Sequence, residues 1–247
     1  MKKINNFKIF FLLLFLISIF ISNSFINKFE GEIFKTNNYT YSSLIHEDTI
    51  SYFKSAQKIS KDLNDGKSYF SSGETYKFTF LYPRIIHLFN QFINSDSLII
   101  DDLNKKISLK NYKIFIYFQI IIYFFSVLFL RLKLSKFLDQ NLVNIVAITL
   151  LINPILMQWH LTILTESIFL SFLIVLTSLS ISSKNNFQFF VIGLFIGILY
   201  TQRTIAFLYP LVFIFFIFLF KEKYLKRFFK FLSLAVGFTL ILILIGL

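Results

Sequence analysis

Seven apolar runs divide this chain, at residues 9–26, 113–130, 142–159, 161–181, 187–201, 204–220 and 229–247. A bilayer core is about 30 Å thick and takes about 20 helical residues to cross. Lipid offers no partner to a backbone N–H or C=O, so a helix that pairs its own groups is the economical way through. The runs therefore predict an all-α polytopic membrane protein with about seven transmembrane helices, read as one module over residues 1–247. A hydrophobic share of 56% and a mean hydropathy of +0.69 are too high for an ordinary soluble domain.

The net charge of +12 first suggests a nucleic-acid binder, but its distribution argues otherwise. Lys2, Lys3 and Lys8 precede the first run, Arg131, Lys133 and Lys136 follow the second, and Lys184 follows the fourth. Lys221, Lys223, Lys226 and Arg227 precede the last, and Lys230 stands at its start. With the N-terminus in the cytoplasm these twelve basic residues share one side, against Asp139 and Glu222 alone. That is a positive-inside pattern, and it predicts an integral protein of a bacterial inner (plasma) membrane without a nucleic-acid partner. A cleavable signal peptide is the rival reading for the first run. Its 18 residues exceed the usual apolar core of about 7–15, and Ser22-Asn23-Ser24 is a poor cleavage site. The 187–220 stretch needs an even number of crossings, which puts Arg203 at the shared tip of two short helices.

The polar groups concentrate in one segment, residues 27–112, which this topology makes a large first external loop. Its 10 acidic and 11 basic residues nearly cancel. From Glu47 to Leu63, Ile50, Phe53, Ala56, Ile59 and Leu63 recur at helical spacing, and Asn64-Asp65-Gly66 supplies a stop. Pro83 opens a second amphipathic segment to Ile93, with Ile85, Ile86, Leu88, Phe89 and Phe92 on its apolar side. Both read as amphipathic juxtamembrane helices, the second lying in the interface plane.

Three sets of residues could carry chemistry. Glu47-Asp48 opens the first loop helix, where a carboxylate could act as general base toward a hydroxyl or simply favour the helix dipole. Glu166 stands within an apolar run and Arg203 interrupts the 187–220 stretch, where ionisable groups mark sites or pair with each other. His160, at a helix end, reads as an interfacial residue rather than a metal ligand, His46 and His87 have no second ligand at a recognisable spacing, and the absence of cysteine excludes thiolate metal sites. There is no Gly-rich phosphate loop, His-Glu-x-x-His or Gly-x-Ser-x-Gly.

Asp48-x3-Tyr52-x3-Ala56, Gly66-Lys67-Ser68-Tyr69 and Leu81-Tyr82-Pro83 together resemble the first external loop of GT-C glycosyltransferases, the polyprenyl-phosphate-sugar-dependent mannosyltransferase and aminoarabinose-transferase group. Leu164-Thr165-Glu166-Ser167-Ile168-Phe169 is similar to that group's Thr-Glu-x-x-Phe helix. Gly193-x3-Gly197, Arg203 and Pro210 resemble its Gly-x3-Gly, Arg, Pro helix pair. The similarity spans residues 7 to 220. It implies transfer of a sugar from a polyprenyl-phosphate donor to a hydroxyl on a lipid, glycan or protein at the outer face. Asp48 would be the base, with Glu47 as the alternative. Arg203, and after it Arg84, would face the donor phosphate, and Glu166, Tyr52, Tyr82 and His87 would line the substrate site. No metal ligand is assigned, and a divalent metal stays an open option. The competing readings are a non-catalytic or degenerate subunit or scaffold, and a lipid-linked glycan polymerase or transporter.

Overall fold

The computed structural model describes residues 12–21, 23–24, 33–36, 39–42, 47–69, 72, 80–93, 100–101, 106–107, 109–181, 183–219 and 223–245. The first helix is α1 (Leu12–Ile21). The long loop carries β1 (Ile33–Thr36), β2 (Tyr39–Ser42), α2 (Glu47–Asn64), α3 (Leu81–Phe92), β3 (Ile100–Asp101) and β4 (Lys106–Ile107). Then come α4 (Leu109–Leu134), α5 (Gln140–Ile152), α6 (Pro154–Leu161), α7 (Thr165–Ile181), α8 (Asn186–Tyr200), α9 (Leu208–Leu219) and α10 (Tyr224–Leu244). A 3-10 turn, Thr204–Phe207, precedes α9.

Each apolar run carries helix, and the described residues are predominantly helical. Ile114–Leu134 and Tyr224–Leu244 are long and apolar enough to cross a bilayer, and α5 with α6 qualifies as a pair bent by 47°. The α1, α7 and α8 helices are apolar but shorter.

Backbone chemistry moves several boundaries from where apolarity alone puts them. The 142–159 run breaks at Asn153-Pro154, because proline has no N–H and pushes the preceding residue out of the helical region. Asn153 is extended (φ −63°, ψ 117°), and its side chain accepts from the N–H groups of Ile155 and Leu156 at 3.0 and 3.2 Å, starting α6 afresh. In the next run Thr162 is extended and helix begins only at Thr165. Glu166 is therefore a first-turn residue and not, as the run suggests, part-way into a span. The last helix starts at Tyr224, ahead of the expected residue 229. In the loop, α2 stops as expected before Gly66, whose φ of +84° needs a residue without a Cβ. The third position of α3 is Pro83, still within the first turn, where no helical N–H bond is lost.

The loop also holds two antiparallel ladders, which helical periodicity does not signal. Ile33 pairs with Ser42 through to Thr36 with Tyr39, and Ile100 pairs with Ile107. The first pair is rich in β-branched and aromatic residues (Ile33, Phe34, Thr36, Tyr39, Thr40 and Tyr41), which suit a pleated surface.

Among the described residues, three apolar clusters fill the interior. Phe53, Ala56, Tyr82, Ile86, Phe115, Ile116, Ile163 and Ile168 join α2 and α3 to α4 and the α6–α7 link. Burying side chains of this size contributes about 1.5–3 kcal/mol each. So α3 turns its apolar face onto protein, leaving Leu88 and Phe92 exposed. A second cluster joins α7, α8, α9 and α10, and a third joins α1, α4 and α5.

The tightest seam runs between α8 and α10. A Cβ on Gly193 would fall on the Leu234 carbonyl, and one on Gly237 on the Phe190 carbonyl. A Cβ on Gly197 would lie 2.7 Å from the Ile241 Cβ. Small residues of this kind let two helices approach at backbone distance, which matters in lipid, where packing and not water exclusion drives association. Gly193→Ala or Gly237→Ala is expected to destabilise the fold by about 1–3 kcal/mol, because a backbone carbonyl cannot rotate aside. Gly197→Ala should cost less because its overlap is smaller, although the Ile241 Cβ is held by the backbone and cannot rotate aside either. Thermal unfolding of the three variants in detergent checks the order; equal shifts would contradict it.

Candidate functional site

The site is built where α2 begins, α7 begins and α8 ends. Thr49, fully buried in the first turn of α2, donates from Oγ1 to the Ile163 carbonyl at 2.8 Å. That bond fastens the start of α2 to the α6–α7 link, one residue after Asp48 and three before Tyr52. Asp48 is exposed. Tyr52, one helical turn on, is 9% exposed and stands edge-on to the Tyr82 ring, with centroids 5.1 Å apart.

The Tyr52 hydroxyl meets the Thr165 side chain. Burial raises the Tyr52 pKa first; the Thr165 hydrogen bond lowers it, the Asp48 charge raises it and the Arg203 charge lowers it. Asp48 and Arg203 thus both lie within electrostatic reach of one phenol. Thr165 Oγ1 also donates to Glu166 Oε2 at 3.2 Å, and Glu166 Oε1 forms an ion pair with Arg203 Nη2. Arg203 sits extended at the start of the 3-10 turn, with 43% of its side chain exposed against 21% for Glu166. The break between α8 and α9 therefore turns this guanidinium toward α7.

Tyr82 backs the site without opening into it. Fully buried, it donates to Gln119 Oε1 at 2.6 Å, and Gln119 Nε2 donates to the carbonyls of Thr162 (3.0 Å) and His160 (3.3 Å). One α4 amide therefore ties α3 to the link that precedes Glu166. Removing such a buried partner typically leaves an orphan worth about 1–3 kcal/mol.

Two other sequence-predicted residues join a different cluster. Arg84 is buried, and its guanidinium donates to the carbonyls of Phe80 (2.9 Å), Tyr69 (3.1 Å) and Ser72 (2.8 Å) while stacking 3.5 Å from the Phe80 ring centre. Burial lowers its pKa and Tyr69 partly restores it. His87 Nδ1 shares a hydrogen bond with Ser60 Oγ at 2.9 Å, and burial, then the Arg84 charge, hold its pKa below the usual histidine value. These contacts close the α2–α3 connection. Glu47 opens α2, and its side chain lies outside the described residues, as does His46.

No protein-family model, curated protein or solved structure matches the chain. The functional reading rests on its residues.

Among the described residues no three of His, Cys, Asp and Glu gather as a metal site. What does gather is an exposed carboxylate, a buried phenol, a hydroxyl bridge and a half-exposed guanidinium already facing a second carboxylate. That set can accept a proton and hold an anion at neighbouring points. Sequence reasoning missed Thr49 and Gln119, and named Thr165 in a motif without giving it a role. Gln119 had a usable signal, since a polar side chain amid the apolar 113–130 run must find partners or a function.

Proposed function

We propose that this chain is an integral membrane glycosyltransferase of the GT-C type, with seven crossings, a cytoplasmic N-terminus and its long loop outside. Its donor is a polyprenyl-phosphate sugar and its acceptor a hydroxyl on a lipid, glycan or protein. The observation that carries the reading is the convergence of Asp48, Tyr52, Glu166 and Arg203, from three separate stretches of chain, where α7 begins and α8 ends. Motifs that resemble the family's supply the same residues.

In the proposed reaction the Asp48 carboxylate takes the acceptor hydroxyl's proton, with Glu47 as alternative base. The acceptor oxygen bonds to the anomeric carbon, and the carbon–oxygen bond to the lipid phosphate breaks, its electron pair leaving with the phosphate. A fixed cation beside that phosphate stabilises the charge that develops there. Arg203 takes this role: its planar fork can face Glu166 along one edge and a phosphate along the other. Arg84, committed to three carbonyls, serves the fold of the loop.

Mass spectrometry of polyprenyl-linked sugars and surface glycans, in cells with and without the gene, tests this. Loss of one sugar from a surface glycan, with accumulation of its lipid-phosphate form, is expected. A change in glycan length alone would indicate a polymerase or transporter, and unchanged pools a non-catalytic subunit. Topology has its own check. The chain has no cysteine, so Ser68→Cys and Lys184→Cys each give one label site. Ser68→Cys should react with an impermeant maleimide on intact cells and Lys184→Cys only after lysis; labelling from the same side would overturn the seven-crossing arrangement.

A further inference from the structure

At the end of α9 opposite Arg203, a groove opens between α9 and α10. Ile214, Ile217 and Phe218 on one side, and Arg227, Phe228 and Phe231 on the other, wall a cavity of about 330 Å³, the size of a small-molecule site. Its walls are open to the surroundings: Phe218, Phe228 and Phe231 are 59%, 46% and 37% exposed. The apolar surface continues along α10 through Leu232, Val236, Leu240 and Ile243, all exposed.

The mouth is cationic. Arg227 stands in the wall and donates from Nη1 to the Phe218 carbonyl at 3.3 Å, which fixes its charge at the edge of the groove. Lys223 and Lys226 are exposed within a turn of it, and the first turn of α10 holds no acidic residue. Clustered cations repel one another, and at the N-terminal end of a helix they also oppose the macrodipole. An apolar slot open along its length, with cations gathered at one end, is complementary to an amphiphile with a negative head.

We propose that this groove binds an anionic phospholipid, its acyl chain along Ile217, Phe228 and Phe231 and its headgroup phosphate against Arg227 and, one helical turn before it, Lys223. The proposal needs α10 to lie in a bilayer and is independent of the glycosyltransferase reading. Each basic residue near an anionic headgroup is worth about a fivefold preference. Amphiphiles without a net charge would fill the apolar slot equally well and gain nothing at the mouth.

Native mass spectrometry of the full chain, released from nanodiscs of equimolar phosphatidylglycerol and phosphatidylcholine with identical acyl chains, reads the ratio of retained lipids directly. The parent is expected to retain phosphatidylglycerol about 25-fold over phosphatidylcholine, and Lys223→Gln/Arg227→Gln to fall to near parity. Because the readout is a ratio within each folded peak, a lower yield of variant cannot mimic the loss. Arg227→Lys, which keeps the charge, should retain most of the preference and serves if the double variant fails to insert. Equal retention of the two lipids by the parent, or an undiminished preference in Lys223→Gln/Arg227→Gln, would overturn the proposal.

Discussion

Asp48→Asn is expected to reduce sugar transfer by about 10²–10⁴-fold, the usual loss when a positioned base is removed, while the protein still inserts and melts as the parent does. Asp48 is exposed, and the bond that fastens the start of α2 belongs to Thr49, so the amide removes a proton acceptor without loosening the site. Transfer is measured in vesicles with a polyprenyl-phosphate sugar as donor. If Glu47→Gln is inactive while Asp48→Asn is not, the roles of the two carboxylates are exchanged. If both variants stay active, the general-base assignment is wrong.

Arg203→Ala is expected to lower transfer by about 10²-fold, as loss of a fixed cation or donor beside developing charge does. Arg203→Lys should recover part of it. Fold stability should respond far less. With 43% of its side chain exposed, Arg203 is screened by solvent, so its pair with Glu166 lies nearer the exposed regime of about 0–1 kcal/mol than the buried one of about 3–5 kcal/mol. The double variant Arg203→Met/Glu166→Met leaves no charge stranded, and should regain stability without activity. A fully active double variant would show that the pair is scaffold and leave Asp48 and Glu47 as the remaining candidates. Thermal melting and transfer assays on the same four proteins separate the outcomes.

The apolar runs, the two loop helices and the pairing of Glu166 with Arg203 were legible in the sequence because each follows from periodicity or from the cost of a charge among apolar residues. The kink at Asn153-Pro154 was legible in principle, yet an apolarity scan passes over it, since Ile152, Ile155 and Leu156 continue the run. Arg84 illustrates the opposite limit. A cation in an amphipathic helix looks available to an anionic substrate, and only the fold brings the carbonyls of Tyr69 and Ser72 to its guanidinium. Thr165 as a bridge was equally hidden: a hydroxyl's partners depend on which neighbour the tertiary packing supplies.

The seam between Gly193 and Gly237 also sets an order of events during synthesis. These residues are 44 positions apart, so at about 5–20 residues per second the ribosome delivers the second about 2–9 s after the first. Through that interval α8 is made but its glycine face is uncovered, and the guanidinium at its end hangs on a helix with no backbone-level support. What waits for α10 is the cover over those glycines, and any insertase or chaperone that shields the nascent bundle has the bare face of α8 to hold until then.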